Sequence, residues 1–122
     1  MRILITICAR GGSKGIPGKN IRLMNNRPLI VYTIEIANAF VQKHGGDISL
    51  STDDKEIKRI AENYGLRTEY QRPNHLATDD TGKLPVIEAL LVYEELRKQI
   101  KYDYVLDLDV SSPLRNLSDL TE

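Results

Sequence analysis

The chain is poor in the residues that staple or anchor small proteins. Only one of its 122 residues, Cys8, is a cysteine, so no internal disulfide and no Cys-x-x-Cys pair can form. His44 and His75 lie far apart in sequence, which argues against a structural zinc site. No apolar run approaches the ~18 residues needed to cross a membrane. The apolar stretch Ile3 to Ala9 is too short for a secretory signal and lacks its small-residue cleavage site. A reduced, cytoplasmic protein without a membrane partner is the expectation. Aromatic residues make up 6% and are not gathered on basic strands, and 17 Lys+Arg balance 17 Asp+Glu. Both facts disfavour a nucleic-acid partner.

What is present is ordinary globular material. The chain is 41% hydrophobic and 28% charged, which excludes a disordered segment. Its length fits one domain burying roughly two-thirds of its unfolded surface. The zero net charge hides an asymmetry. From Met1 to Ile34 there are six basic residues (Arg2, Arg10, Lys14, Lys19, Arg22, Arg27) and no acidic one. From Asp103 to Glu122, five acidic residues stand against Arg115 alone. Segregation of this kind reads as a site as well as a solvated face.

Hydrophobic periodicity predicts alternating strands and helices. Arg2 to Ala9 reads as a buried strand. A helix follows with Pro28 in its first turn and Leu29, Tyr32, Ile36 and Phe40 on one face. Ile48 to Ser51 is a second strand. Asp53 is the predicted N-cap of the next helix, with Glu56 as capping-box partner and Gly65 at its end. Leu66 to Tyr70 reads as a third strand. Leu84 to Gln99 reads as a helix with Val86, Leu90, Tyr93 and Leu96 inward, and Tyr104 to Asp109 as a fourth strand. The alternation argues for an α/β fold: a mainly parallel sheet, right-handed crossovers and helices on both faces. Ligands on such sheets bind beyond the carboxyl ends of the strands.

One segment stands out at such an end. Residues 10–20 read Arg-Gly-Gly-Ser-Lys-Gly-Ile-Pro-Gly-Lys-Asn and hold half of the chain's eight glycines. Glycine lets backbone N–H groups approach anionic oxygens closely, and Arg10, Lys14 and Lys19 add charge-assisted hydrogen bonds. A phosphate-binding loop is the expectation. It is not a Walker A loop, because Ser13 stands where the first glycine belongs and Asn20 follows Gly18-Lys19. Nor is it the dinucleotide fingerprint, since Pro17 interrupts the spacing.

Ala9 to Asn20 resembles the signature of the acylneuraminate cytidylyltransferases, the CMP-sialic acid synthetase family. Arg27 to Ile34, Ser51-Thr52-Asp53-Asp54, Arg72-Pro73 through Leu76-Ala77-Thr78-Asp79, and Ser112-Pro113-Leu114-Arg115 follow in the family's order, so the match covers essentially the whole chain. The resemblance implies a Rossmann-like nucleotidyltransferase fold. It also implies transfer of CMP from CTP to a sialic-acid-like 2-keto-3-deoxy (nonulosonic) sugar acid, with release of pyrophosphate. Arg10 and Lys19 match residues that hold the triphosphate and carry the reaction. Ala9, Gly11, Gly12, Ser13, Lys14 and Asn20 complete the nucleotide-binding segment, and Arg72 lies in a motif implied to line the nucleotide pocket. Lys83 falls where the family has a small polar residue near the nucleotide. It reads either as a phosphate contact or as a surface lysine at a helix start.

Asp107 and Asp109 are two apart on one strand and share a face. Carboxylates beside a phosphate loop suit Mg²⁺, which takes carboxylates together with phosphate oxygens; both are candidate ligands. Where most family members read Gln-Pro-Thr-Ser-Pro, this chain reads Asp109-Val110-Ser111-Ser112-Pro113. The Gln is implied to touch the sugar acid, so the departure bears on which sugar is used. Against the family's length, residues 1–122 correspond to the nucleotide-binding part of a truncated cytidylyltransferase domain. The resemblance implies a homodimer in a full-length form. Two other readings stay open: a nucleotide-binding module without full activity, and a nucleotidyltransferase of the same fold with another substrate.

Overall fold

The computed structural model describes residues 2–9, 23–24, 27–76 and 82–108. Three parallel strands form the central sheet. β1 (Ile3–Cys8) lies between β4 (Asp47–Ser51) and β5 (Tyr104–Leu108). A small antiparallel ribbon pairs β2 (Leu23–Met24) with β3 (Arg27–Pro28). The helices are α1 (Leu29–His44), α2 (Lys55–Asn63) and α3 (Lys83–Lys98), with a 3-10 turn at Asn74–Leu76. This is a Rossmann-like α/β arrangement.

The two faces of the sheet differ because β1 alternates. Ile5 and Ile7 pair in register with Ile48 and Leu50 of β4, and Ile7 with Leu108 of β5. They form the main core with Ile30, Val31, Ile34, Ala37 and Phe40 of α1 and Ile57 and Ala61 of α2. The alternate residues Leu4, Thr6 and Cys8 face the other side, where α3 packs with Val86 and Leu90 buried. That second face is largely polar, with Thr6 beside Ser49 and Asp107 in register.

The chain leaves β1, crosses through α1 to β4, and then crosses back through α3 to β5 on the opposite side of β1. The strand order therefore reverses between β1 and β5. In open α/β sheets the crevice at the carboxyl ends of two such strands is where ligands bind. The turn from α1 into β4 needs two glycines. Gly45 and Gly46 both have positive φ, and a Cβ on Gly46 would lie 2.8 Å from the Ile3 carbonyl oxygen.

Several local expectations are corrected. Pro28 belongs to β3, and α1 starts after it. The buried face of α1 is Ile30, Ile34 and Ala37 with Val31, Thr33 and Phe40, whereas Leu29, Tyr32 and Ile36 are half-buried at its margin. The run Leu29 to Val31 is apolar all round, so periodicity could place the stripe one residue off. The N-cap of α2 is Asp54, not Asp53: its carboxylate accepts from the Glu56 N–H at 2.7 Å, and the Thr52 hydroxyl accepts from the Asp54 N–H at 3.1 Å. Glu56 then pairs with Arg59 instead of closing a capping box. Residues 66–70 form no strand. The Thr68 hydroxyl takes the Tyr70 N–H at 3.1 Å, a local bond that competes with a ladder. Leu66 and Tyr70 are nonetheless buried, and Tyr70 meets Tyr93 in a tilted ring contact with centroids 4.8 Å apart. On α3, Leu96 is 74% exposed and Glu94 takes the inward position. The Glu94 carboxylate is bonded by the Ser49 hydroxyl on one oxygen and by Arg97 on the other.

Candidate active site

The described part of the site is built at the carboxyl ends of the three strands. β4 ends at Ser51, whose carbonyl oxygen accepts two bonds: one from the Ala9 N–H at 2.9 Å, and one from Arg72 Nη2 at 2.9 Å. Arg72 Nε also donates to the Ser51 hydroxyl at 3.0 Å, and the Arg72 N–H donates to the Thr52 carbonyl at 3.1 Å. The buried guanidinium thereby ties the segment after α2 to the ends of β4 and β1. Ala9 is the residue that leads directly into the glycine-rich loop.

On the other side of β1 lies the switch point with β5. Thr6 and Asp107 are paired in register, and the Thr6 hydroxyl donates to Asp107 Oδ1 at 2.8 Å. Asp107 Oδ2 accepts from Lys83 Nζ at 2.7 Å. Asp107 is mostly buried, at 18% exposure, while Lys83 is 46% exposed. Lys83 is the first residue of α3, and Pro85 is accommodated within the helix's first turn. Cys8 lies beside this pair, half-buried. Burial above all, reinforced by the Asp107 carboxylate and opposed by Arg72 and Lys83, pushes the Cys8 thiol up from its ordinary 9.0 to about 12. It is a protonated, inert thiol at neutral pH, as a buried small hydrophobe would be.

The structure thus brings together Ala9, Arg72, Lys83 and Asp107 at the carboxyl end of the sheet. Arg10, Gly11, Gly12, Ser13, Lys14, Lys19, Asn20 and Asp109 lie outside the described residues. Thr6 was not singled out from sequence, and Ser51 and Thr52 entered only as part of the Ser51-Thr52-Asp53-Asp54 motif. The available signal for Thr6 was a hydroxyl in an otherwise apolar strand, two residues before Cys8 on the same face.

The expected Mg²⁺ can be tested against the donors at Asp107. Both of its oxygens already accept from donors, and a divalent cation on Oδ2 would sit beside an ammonium group. No cluster of three or more His, Cys, Asp or Glu side chains suited to a metal occurs among the described residues. At Asp107 the described donors leave neither carboxylate oxygen open to the ion, and Asp109 lies outside the described residues.

A model of the cytidylyltransferase family matches residues 4–120. The chain belongs to the cytidylyltransferase family. Similar proteins include post-translational flagellin modification protein B of Campylobacter coli. It is 44% identical over 119 residues, covering 97% of this chain and 49% of that protein. The CMP-N,N'-diacetyllegionaminic acid synthase of Campylobacter jejuni is 44% identical over 112 residues, covering 91% of this chain and 46% of that enzyme. Among solved structures, a CMP:2-keto-3-deoxy-manno-octonic acid synthetase complexed with CTP superposes with a TM-score of 0.73 at 21% identity. That match covers 98% of this chain and 44% of the other, and it supports the cytidylyltransferase fold. The chain spans about half the length of these relatives. Among the described residues no helix is long and apolar enough to cross a membrane.

Proposed function

We propose that this chain is the nucleotide-binding part of an enzyme that transfers CMP from CTP to a nonulosonic sugar acid and releases pyrophosphate. The observation that carries the reading is the placement of Ala9. It directly precedes the basic glycine-rich segment in sequence, and its N–H is held by the Ser51 carbonyl at the carboxyl end of β1, the strand that forms the switch point with β5. A loop leaving that point starts at the crevice where an α/β sheet binds nucleotide. The legionaminic acid named for one relative supports a nonulosonic acceptor.

In this reading the sugar's anomeric hydroxyl oxygen forms a bond to the α-phosphorus of CTP. The bond from that phosphorus to the β-bridging oxygen breaks, pyrophosphate leaves with the electron pair, and the hydroxyl proton passes to solvent or base. The work required is positioning and charge neutralisation. Arg10 and Lys19 are the groups proposed to hold the triphosphate, supported by backbone N–H groups of Gly11, Gly12 and Ser13 and by Lys14. Asn20 is proposed to meet the cytosine and ribose. Arg72 braces the strand ends from which this loop departs. Asp109 is the residue proposed to bring in Mg²⁺.

Incubation with CTP, Mg²⁺ and a panel of nonulosonic acids, followed by pyrophosphate and product analysis, tests this. Formation of a CMP-sugar is the expected result. CTP binding without pyrophosphate release would favour a nucleotide-binding module, and turnover with UTP in place of CTP a different nucleotidyltransferase.

A further inference from the structure

Asp107 has the spacing of a metal ligand, yet its surroundings are those of a clamp for a cation. β1 and β5 place Thr6 directly beside it, and the Thr6 hydroxyl occupies Oδ1. With one oxygen held by a buried hydroxyl, the carboxylate has a fixed orientation, and Oδ2 receives Lys83 Nζ from a separate element at 2.7 Å. Lys83 is an awkward residue where it stands. It opens a 16-residue helix whose N-cap, Gly82, makes no side-chain cap bond and whose first turn has no acidic residue. A cation there opposes the helix dipole. A lysine placed against the dipole and locked to a mostly buried carboxylate at the switch point is costly for a surface residue, and it is well placed to meet an anion.

We propose that Asp107 is a positioning residue, clamped by Thr6, that fixes the Lys83 ammonium as a resident cation in the β1–β5 crevice, where it receives a phosphate oxygen of the nucleotide. This rests on the nucleotide reading above. The Lys83 side chain is about half exposed, and an ammonium group has three donors, so its bond to Asp107 does not exhaust its capacity to meet a phosphate oxygen. In this arrangement Asp107 touches neither the nucleotide nor a metal, and its effect on binding passes through Lys83 alone.

The test is a double-mutant cycle on CTP affinity, measured by calorimetry at several Mg²⁺ concentrations, with thermal melts confirming folding. Lys83→Ala should weaken CTP binding at least tenfold. Asp107→Asn and Thr6→Val should each weaken it several-fold in the parent chain, and by less than twofold when Lys83 is already alanine. The Mg²⁺ dependence should have the same midpoint with Asp or Asn at position 107. Thr6→Val keeps side-chain volume and serves as the probe of the clamp if Asp107→Asn does not fold. Unchanged CTP affinity in Lys83→Ala overturns the proposal. So does a persistent loss from Asp107→Asn in the Lys83→Ala background, or a displaced Mg²⁺ midpoint, either of which would make Asp107 a direct ligand. A parent chain that binds no CTP at all would instead overturn the nucleotide reading itself.

Discussion

The guanidinium of Arg72 grips Ser51 twice, donating from Nε to the hydroxyl at 3.0 Å and from Nη2 to the carbonyl oxygen at 2.9 Å. The same carbonyl accepts the Ala9 N–H, so one buried arginine supports both strand ends that flank the start of the glycine-rich segment. Arg72→Ala removes charge-assisted bonds in a buried setting and is expected to cost about 2–4 kcal/mol of stability. Arg72→Lys should recover only part of it, since an ammonium group lacks the planar fork. Urea denaturation midpoints measure the loss, and a variant as stable as the parent would remove Arg72 from this role.

Lys19 is proposed to meet the triphosphate. Lys19→Ala should reduce CTP binding or turnover by well over roughly tenfold, the scale of one charge-assisted contact to phosphate. Unchanged kinetics would take Lys19 out of the site.

Asp109→Asn should weaken the Mg²⁺-dependent part of CTP affinity while leaving affinity without Mg²⁺ nearly constant. Calorimetric titrations of CTP with and without the ion make the comparison. The same Mg²⁺ dependence in variant and parent would count against a metal role for Asp109.

Cys8 gives a prediction in alkali. Burial, with the Asp107 carboxylate adding to it, raises its pKa from 9.0 to about 12, so the folded protein holds this proton more tightly than the unfolded chain. The stabilisation is fully present below pH 9.0 and is lost as the pH rises toward about 12. Cys8→Ser lacks this titration and should show a smaller stability decline over that window. At about pH 8 a thiol reagent should react at least roughly a hundredfold more slowly with the native chain than with the urea-unfolded one. Equal rates would contradict the structure.

How much of this was legible in the sequence depends on where apolar patterning decided the outcome. β1, β4 and β5 read directly because β-branched and bulky residues run through them between turn residues, and their parallel arrangement followed from the intervening helices. The glycine and cation content after β1 is the composition expected of a phosphate loop, and those residues lie outside the described ones. Patterning failed where polar groups settle the packing. An apolar count skips Glu94 in favour of Leu96, although Ser49 and Arg97 together satisfy the buried carboxylate. Two adjacent aspartates cannot be separated by spacing, and it is the Thr52 hydroxyl on the Asp54 N–H that selects the cap. Residues 66–70 alternate like a strand but satisfy a backbone donor locally through Thr68. Thr6 escaped notice because its partner lies 101 residues away.

The Glu94 cluster carries its own asymmetry. Arg97 is half exposed and Glu94 is almost fully buried. Arg97→Ala leaves a buried carboxylate short of its counter-charge and is expected to cost about 3 kcal/mol. Glu94→Gln keeps a partner for Ser49 and releases a cation to water, so it should cost only about 1 kcal/mol. Chemical denaturation of the two variants decides the order, and the reverse order would sink the argument.

The central position of β1 has a consequence for synthesis. Of the three strands in the sheet it is the first to be made, and it needs neighbours on both sides. Its partner β4 begins at Asp47, but β5 does not emerge until residue 104. Until then β1 has an unpaired edge, and Thr6 has no carboxylate beside it. Closing so long a loop is an entropic cost met late, which places the β1–β5 pairing after β1–β4 within this sheet. The crevice between those two strands therefore forms only after β5 has been made, and a nascent chain stopped before residue 104 would contain the glycine-rich segment without Asp107 or the strand that carries it.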